Sequence, residues 1–549
     1  FAACCGFMDE DNICSSFMRP ASHLVQFNHL PLCAVAAVIK VHSMHEKQVE
    51  SSWWRSTCEK DVWGDPPWYI LALVRLNYLV MVTVAIIAEW FRSHHLIHSP
   101  GPQELDKQKD FVPLDDPFVT LYVNNLYRMG SDVVNRPLAG PPSVLMKIKE
   151  RVTHNYGWSY EFTGRVRDVI NMGSYNYLGF SGTESGCIET VTSTLEENGI
   201  GICGTRQEFG STQLHNELDT MVARFLGVED AVCFPMGFCT NSMNISAFVN
   251  KDCLILSDEL NHASLVVGSR LSGATIVVFK HNDANDMEQK LLDSVSIKRS
   301  QGSSFKKILI IVEGVYSMEG TIVNLPAFID VKKRRKAYLF LDEAHSIGAL
   351  GRYGRGVVEY WGCDPNDVDV LMGTLTKSFA AAGGYIAGRK ATIEYVKAFS
   401  QGACYGGMMS PTLIAQVTHI IKVLTGEDGT NIGFEKRNRL LRNTRYLRNR
   451  LKQLGFLVYG HSDSPVVPII TFFASKAVCI GRESLKRGLG VVTVVFPATP
   501  WSKSRARLCV SADHTKEQLD LALKVLNDIG ELAGSKYGSV DSIGNLVEY

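Results

Sequence analysis

The sequence predicts an α/β fold: a large, mostly parallel sheet domain followed by a smaller α+β domain. Three observations carry that prediction. From about 165 to 425, short apolar runs alternate with helical stretches; the runs are 230–235, 253–256, 274–279, 308–312, 337–341 and 368–372. Alternation of this kind builds a parallel sheet covered on both faces. Near 426–433 the pattern changes to a basic helix (437–454), two strand-like runs (466–473 and 490–495) and an amphipathic helix at 516–532. Finally, chemically active residues follow several of the apolar runs, at the strand ends where an open α/β sheet forms its binding crevice.

Taken in chain order, residues 1–66 give no usable pattern. The chain begins at Phe1 and not Met, so its N-terminus is expected to be processed or incomplete. The adjacent Cys4-Cys5 is read as a pair without function, and the apolar run 32–41 is too short to span a bilayer. Residues 67–92 are expected to form a transmembrane or membrane-embedded helix. The stretch 68–88 has the length of a span, with Trp68, Tyr69 and Trp90 at its ends as interfacial anchors. Arg75 and Asn77 oppose a span, but Arg75 lies in the first third, from where it can snorkel. A buried or interfacial helix is the alternative. Residues 93–164 read as a polar, Pro-rich arm, 165–425 as the catalytic domain, 426–536 as the small domain and 537–549 as a tail.

Composition narrows the function class. The 549 residues are 46% hydrophobic and 20% charged with a formal net charge of zero, so no global field draws nucleic acid. The basic run 332–336 precedes a strand and reads as a solvated helix C-terminus. None of the 14 cysteines forms a C-x-x-C pair, and Cys233, Cys253 and Cys509 stand in apolar contexts. Reduced thiols in a cytosol-facing protein are expected, with no metal site.

The residues after the strands suggest one chemistry. Lys377 lies in Gly-Thr-Leu-Thr-Lys-Ser-Phe, just past the apolar run 368–372; Asp342 ends the run before it. A pyridoxal phosphate (PLP) enzyme needs that pair, a lysine for the Schiff base and a carboxylate for the pyridinium nitrogen. A carboxylate at the end of an apolar strand is costly unless paired, and a pyridinium is such a partner. Gly237, at the start of a helix after 230–235, allows close approach of a phosphate. Thr374 and Thr376 add hydroxyls beside the lysine. His262 follows 253–256 and can stack on a flat ring; His345 can hold the aspartate or the ring hydroxyl. The Asp-Glu-Ala-His at 342–345 could also be a helicase box, but no G-x-x-x-x-G-K-[ST] loop precedes it. In the strand-like segment 504–511, Arg507 can clamp a carboxylate bidentately. Arg505 is two residues away on the same face, so the pattern does not separate them.

Together these motifs resemble the α-oxoamine synthase family of fold-type I PLP enzymes, over roughly 105–535. The resemblance rests on Asn-Met-Gly-Ser-Tyr-Asn-Tyr-Leu-Gly-Phe at 171–180, the segments 254–265 and 341–351, Val-Glu-Gly-Val-Tyr-Ser-Met-Glu-Gly at 312–320, 373–379, and Phe-Pro-Ala-Thr-Pro at 496–500. It is greatest to the membrane-bound members that join L-serine to palmitoyl-CoA; soluble relatives lack the apolar segment. The resemblance implies PLP-dependent decarboxylative condensation to 3-oxosphinganine, CoA and CO2, the first step of sphingolipid synthesis. It implies an endoplasmic reticulum membrane location with the catalytic domain in the cytosol. It also implies a heterodimer with a lysine-less type 1 subunit, with small regulatory membrane subunits as further partners. By the same resemblance Lys377 is the Schiff-base lysine, Asp342 the pyridine-nitrogen partner and His262 the stacking residue, with Lys377 or His262 handling the α-proton. His345 and Ser317 would contact the ring oxygen region, Gly237, Phe238, Thr374 and Thr376 the phosphate, and Asn176 and Arg507 the substrate.

The chain departs from the family pattern in three places. Relatives usually carry Gly at Ala380, Ser at Ala382, and Thr-Ser where this chain has Gly407-Met408. In family dimers the last segment reaches the partner's cofactor phosphate. A partner without its own working cofactor site would tolerate that loss. Two other readings compete: a glycine-using α-oxoamine synthase with a short acyl-CoA, and a catalytically silent scaffold subunit.

Overall fold

Each of the six apolar runs forms a strand in the computed structural model, which describes residues 66–94, 96–97, 106–108, 110–112, 117–183, 186–538 and 549. Cys4-Cys5, the run 32–41 and most of the 537–549 tail lie outside these residues.

The first paired strands are ones the sequence reading did not anticipate. β1 (Leu145–Val152) and β2 (Glu161–Asn171) form an antiparallel hairpin with a register shift between Lys149 and Arg151. The expected boundary at 164/165 falls inside β2. The end of β2 also pairs in parallel with a short C-terminal strand, Ile170 opposite Leu489. The hairpin therefore belongs structurally with the C-terminal part of the chain. Outward-facing charges on β2 (Glu161, Arg165, Arg167) hide its pattern, because most of the strand is exposed and only its last three residues are buried.

The large sheet contains β3 (Asp230–Phe234), β4 (Leu254–Asp258), β5 (Thr275–Phe279), β6 (Ile308–Glu313), β7 (Tyr338–Asp342), β8 (Val370–Thr374) and β9 (Gly384–Gly388). Their order is β3-β9-β8-β7-β6-β4-β5. Neighbours from β5 to β8 run parallel; β9 runs antiparallel to both β3 and β8. The glycine-rich sequence of β9 gives it no apolar run to read, yet all five of its residues are buried. Apolar side chains on both faces account for the continuous character of the strands. Leu256, Ile310 and Leu339 face one core cluster, and Ile255, Ile311 and Phe340 the other.

The small domain holds β10 (Val466–Phe472), β11 (Leu489–Gly490), β12 (Val492–Val494) and β13 (Ser504–Cys509). β13 lies between β10 and β12 in an antiparallel sheet, with Arg507 opposite both Pro468 and Val492. The basic helix is Ile432–Gln453 and the last helix is Lys516–Leu532. The basic run at 332–335 closes the helix Leu325–Arg335, and its four cations pair with Asp369, Asp367 and Glu288.

The apolar helix extends over Trp68–Ser93, 26 residues, with a mean hydropathy of 2.3 over its most apolar window. At 1.5 Å per residue it is about 39 Å long, enough to cross a bilayer. One stripe rests on the small domain: Ile70, Val74 and Tyr78 pack with Tyr459, Ile470, Phe472 and Trp501. The opposite face exposes Leu73, Leu76, Leu79, Val80, Val84 and Ile87. The Arg75 guanidinium lies 5.8 Å from the Trp501 ring centroid, which keeps its charge against protein.

Candidate active site

β6, β7 and β8 end side by side, and their last residues are polar. Register sets Glu313 opposite Asp342, and Asp342 opposite Met372, two residues before Thr374. Asp342 is buried. Its Oδ2 accepts from Asn241 Nδ2 at 2.7 Å and its Oδ1 from the Ala344 amide at 2.8 Å. No cation lies within ion-pairing distance of Asp342 among the described residues.

Lys377 follows β8 in a turn closed by Ala380 N–H to Lys377 O and Ala381 N–H to Leu375 O. Its Nζ donates to Thr374 Oγ1 at 3.3 Å, and Thr376 Oγ1 donates to the same oxygen at 3.2 Å. The residue is half-buried, but its ammonium end is enclosed by protein. That desolvation lowers its pKa to about 8, against the opposing pull of Asp342 and Glu313. A sizeable fraction is therefore the neutral amine near physiological pH. The residue after the turn, Ala380, has φ 45°, the left-handed region that favours glycine.

His262 caps the helix Ala263–Leu271. Its Nδ1 accepts from the Ser264 amide, which leaves Nε2 as the protonated nitrogen of the neutral ring. Burial first, and Lys377 further, lower its pKa, while Asp342 raises it. The backbone N–H of His262 donates to Glu313, a carboxyl that burial and the neighbouring Asp342 push well up. Phe238 stands edge-on to His262, with centroids 6.1 Å apart. Gly237 faces Thr374 and Gly383; a Cβ there would lie 3.0 Å from Thr374 Cγ2 and 3.3 Å from the Gly383 carbonyl. A side chain there would crowd both neighbours, so glycine favours that approach of the helix start to the lysine turn.

His345 is buried, and burial holds it well below its usual pKa. Its Nδ1 bonds the Tyr177 hydroxyl at 2.8 Å. Ser317 is buried in the loop after β6. Asn176 gives its side chain to the backbone of Pro142 (3.4 Å) and Ser181 (3.3 Å).

The two arginines that sequence could not separate differ in the structure. Arg505 is fully buried and pairs with Glu319 at 3.1 Å, with a further bond to the Met318 carbonyl at 2.7 Å. Arg507 has no carboxylate within ion-pairing distance among the described residues. Its guanidinium sits 4.6 Å from the Tyr175 ring centroid, and its Nε is buried without a partner. Lys377 Nζ lies 5.8 Å from the same ring. Tyr175 thus links the two cations across the large and small domains.

Two neighbours of the site escaped residue-by-residue reading. Asn241 sits in the Gly237 helix and holds Asp342 from 101 positions away. Tyr175 lies within a quoted motif but carries no charge or reactive group to mark it.

The groups fit PLP. Asp342 offers carboxylate lone pairs without a cation, Lys377 an amine that is partly neutral, Gly237 a close backbone approach, and Arg507 unused donors. Asn241 Oδ1 is a buried acceptor with no partner.

Comparison with known proteins agrees with this arrangement. Residues 167–526 match the family model for aminotransferase class I and II. The chain is 50% identical over 475 residues to serine palmitoyltransferase 3 of Caenorhabditis elegans, covering 86% of this chain and 93% of that relative. It is 47% identical to serine palmitoyltransferase 3 of Homo sapiens, covering 86% of each. A solved high-resolution structure of SPT with PLP internal aldimine is 30% identical, with a TM-score of 0.62, and is covered over 68% of this chain and 90% of that one.

Proposed function

We propose that this chain, which belongs to the serine palmitoyltransferase family, is a PLP-dependent acyltransferase that condenses L-serine with palmitoyl-CoA to 3-oxosphinganine, releasing CoA and CO2. The observation that supports the site assignment most is that Lys377 and Asp342, neither in an ion pair, stand at the ends of adjacent strands.

Bound PLP supplies an electron sink for the carbanion formed at the serine α-carbon. Lys377 is the residue that holds it covalently and, with its lowered proton affinity, can accept a proton near neutral pH. Asp342 holds the ring nitrogen protonated, and Asn241 fixes the carboxylate for that task. His262, oriented by Ser264 and Glu313, would cover the ring. Gly237, Phe238, Thr374 and Thr376 would hold the phosphate, and Ser317 and His345 the ring oxygen. Arg507 takes the serine carboxylate, freed for that by the absence of a protein counter-ion. Asn176 lies near the substrate, a supporting role since its amide is already bonded to backbone.

The family acts with other subunits. For this chain the partner is a lysine-less type 1 subunit, with small membrane subunits beside it. Phe209 is 99% exposed and Tyr405 is 79% exposed, on segments joined by the Thr205–Gly407 bridge. That apolar surface adjoins the departure at Gly407-Met408 and suits a homologous subunit. The apolar helix associates the protein with a membrane; we assign it to the endoplasmic reticulum with the catalytic domain in the cytosol.

Co-expression with a type 1 partner tests the reading. Serine and palmitoyl-CoA should yield 3-oxosphinganine. Product from glycine with a short acyl-CoA, and none from serine, would contradict the substrate assignment. No product from either would leave the scaffold role.

A further inference from the structure

The N-terminal hairpin and the helix Ala474–Lys486 enclose a cleft that the reaction does not use. A cavity of about 210 Å³ there is lined by Arg136, Lys149, Arg151, Arg167, Arg482 and Lys486, against only Asp132 and Glu150. Both carboxylates are already engaged. Asp132 receives two bonds from Arg482, at 2.7 and 2.8 Å. Glu150 pairs with Arg167 and Arg165, and Arg167 with Thr163 holds its carboxyl down at about 2.

Lys486 pairs with Glu483 outside the cavity lining, at 2.8 Å, and three cations remain. Among the described residues, Arg136, Lys149 and Arg151 have no carboxylate within ion-pairing distance. Arg136 donates to the Gly481 carbonyl at 2.7 Å, and Arg151 to those of Ser131 (3.0 Å) and Val134 (2.8 Å). A guanidinium has five N–H donors, so both keep donors for a ligand. Burial lowers Arg136 to about 10, which still leaves it charged at neutral pH. An adjoining cavity of about 370 Å³ shares Asp132, Arg151 and Arg482 and adds Arg128, whose guanidinium lies 4.4 Å from the Trp158 ring centroid.

Location identifies the anion. Arg128 follows the turn of helix Val123–Tyr127, in which Asn125 bonds both Glu89 and Arg92. Those two residues form the polar end of the apolar helix Trp68–Ser93. The ends of a membrane helix lie at headgroup level, crossing or lying flat. A guanidinium fork matches phosphate oxygens bidentately. We propose that this cleft binds the phosphate of an anionic phospholipid headgroup, with Arg136 and Arg151 as donors and Lys149 at the rim.

The test uses the detergent-solubilised full chain and calorimetric titration with three soluble probes: dihexanoyl phosphatidylserine, dihexanoyl phosphatidylcholine and inorganic phosphate. Saturable binding of the phosphatidylserine is expected, tighter than either other probe by about tenfold or more. The Lys149 side chain is exposed and forms no ion pair among the described residues, so Lys149→Glu should fold and keep its activity in detergent, yet weaken phosphatidylserine binding by about tenfold or more. Equal affinity for the two lipids, or an unchanged Lys149→Glu, would overturn the proposal. So would phosphate binding as tightly as phosphatidylserine, which would make the cleft a free-anion site.

Discussion

The end of the seven-stranded sheet and the interior of the three-stranded sheet both bury charge, but they balance it in opposite ways. In the small domain Arg505 and Arg448, both fully buried, are matched. Arg505 has Glu319; Arg448 donates to the carbonyls of Ser464 and Tyr459 at 3.0 and 2.8 Å, and to that of Val466. At the large-sheet end Lys377 and Asp342 have hydrogen bonds but no ion pair, and Arg507 faces them from across the domain boundary with an aromatic ring for company. Matched buried charge orders a framework; unmatched buried charge marks where a ligand completes the electrostatics.

Substitutions can break this contrast. The largest effect is expected at Lys377. Lys377→Ala should cost on the order of 10⁴-fold or more in 3-oxosphinganine formation. Its melting temperature should not fall, because removing a desolvated cation relieves the fold; a cooperative loss of structure would show that Lys377 is framework.

The two arginines should then separate cleanly. Arg505→Leu strands Glu319 without its partner and should lower unfolding free energy by about 3–5 kcal/mol in denaturant titration. The folded fraction should keep its KM for serine. Arg507→Ala should do the reverse, raising the serine KM by about 10- to 100-fold from the loss of a charge-assisted bond, with little change in stability. If both variants lose stability alike and neither alters KM, the distinction between them fails.

A smaller effect follows from Lys377 titrating at about 8. PLP uptake by the cofactor-free chain needs the neutral amine, so its rate should rise about tenfold from pH 7 to 9 and then level off. The sign for stability is the same. Between about 8 and the ordinary lysine value of 10.5 the unfolded chain binds more protons than the folded one, so cofactor-free stability should increase with pH across that window. A flat uptake profile would mean that the amine is not desolvated.

The smallest effect concerns Ala380. Its φ of 45° costs about 1 kcal/mol relative to glycine, so Ala380→Gly should stabilise the chain by about that amount. A destabilised variant would mean that the turn after Lys377 is not strained.

What the sequence revealed and concealed follows from the range of the interactions. Apolar runs announce β3 to β8; except for the partly exposed edge strand β5, these strands are mostly buried, and a strand buried on both faces must be apolar throughout. Lys377, Asp342 and His262 are legible because each stands at or shortly after the end of such a run. β9 is buried but glycine-rich, and β2 is exposed along most of its length, so neither has a readable period. Asn241 and Tyr175 act through partners about a hundred or more positions away, and no local pattern encodes that. Arg505 and Arg507 share one strand face; only the position of Glu319 in the folded chain separates them.

The central claim, that the unmatched charge at the sheet end is the cofactor-holding lysine, has one direct test. The purified chain loaded with PLP is reduced with borohydride, digested, and its peptides are mapped by mass spectrometry. The phosphopyridoxyl mass should appear on Lys377 and on no other lysine. Its appearance on a different lysine, or on none in a chain that forms 3-oxosphinganine, would contradict the account.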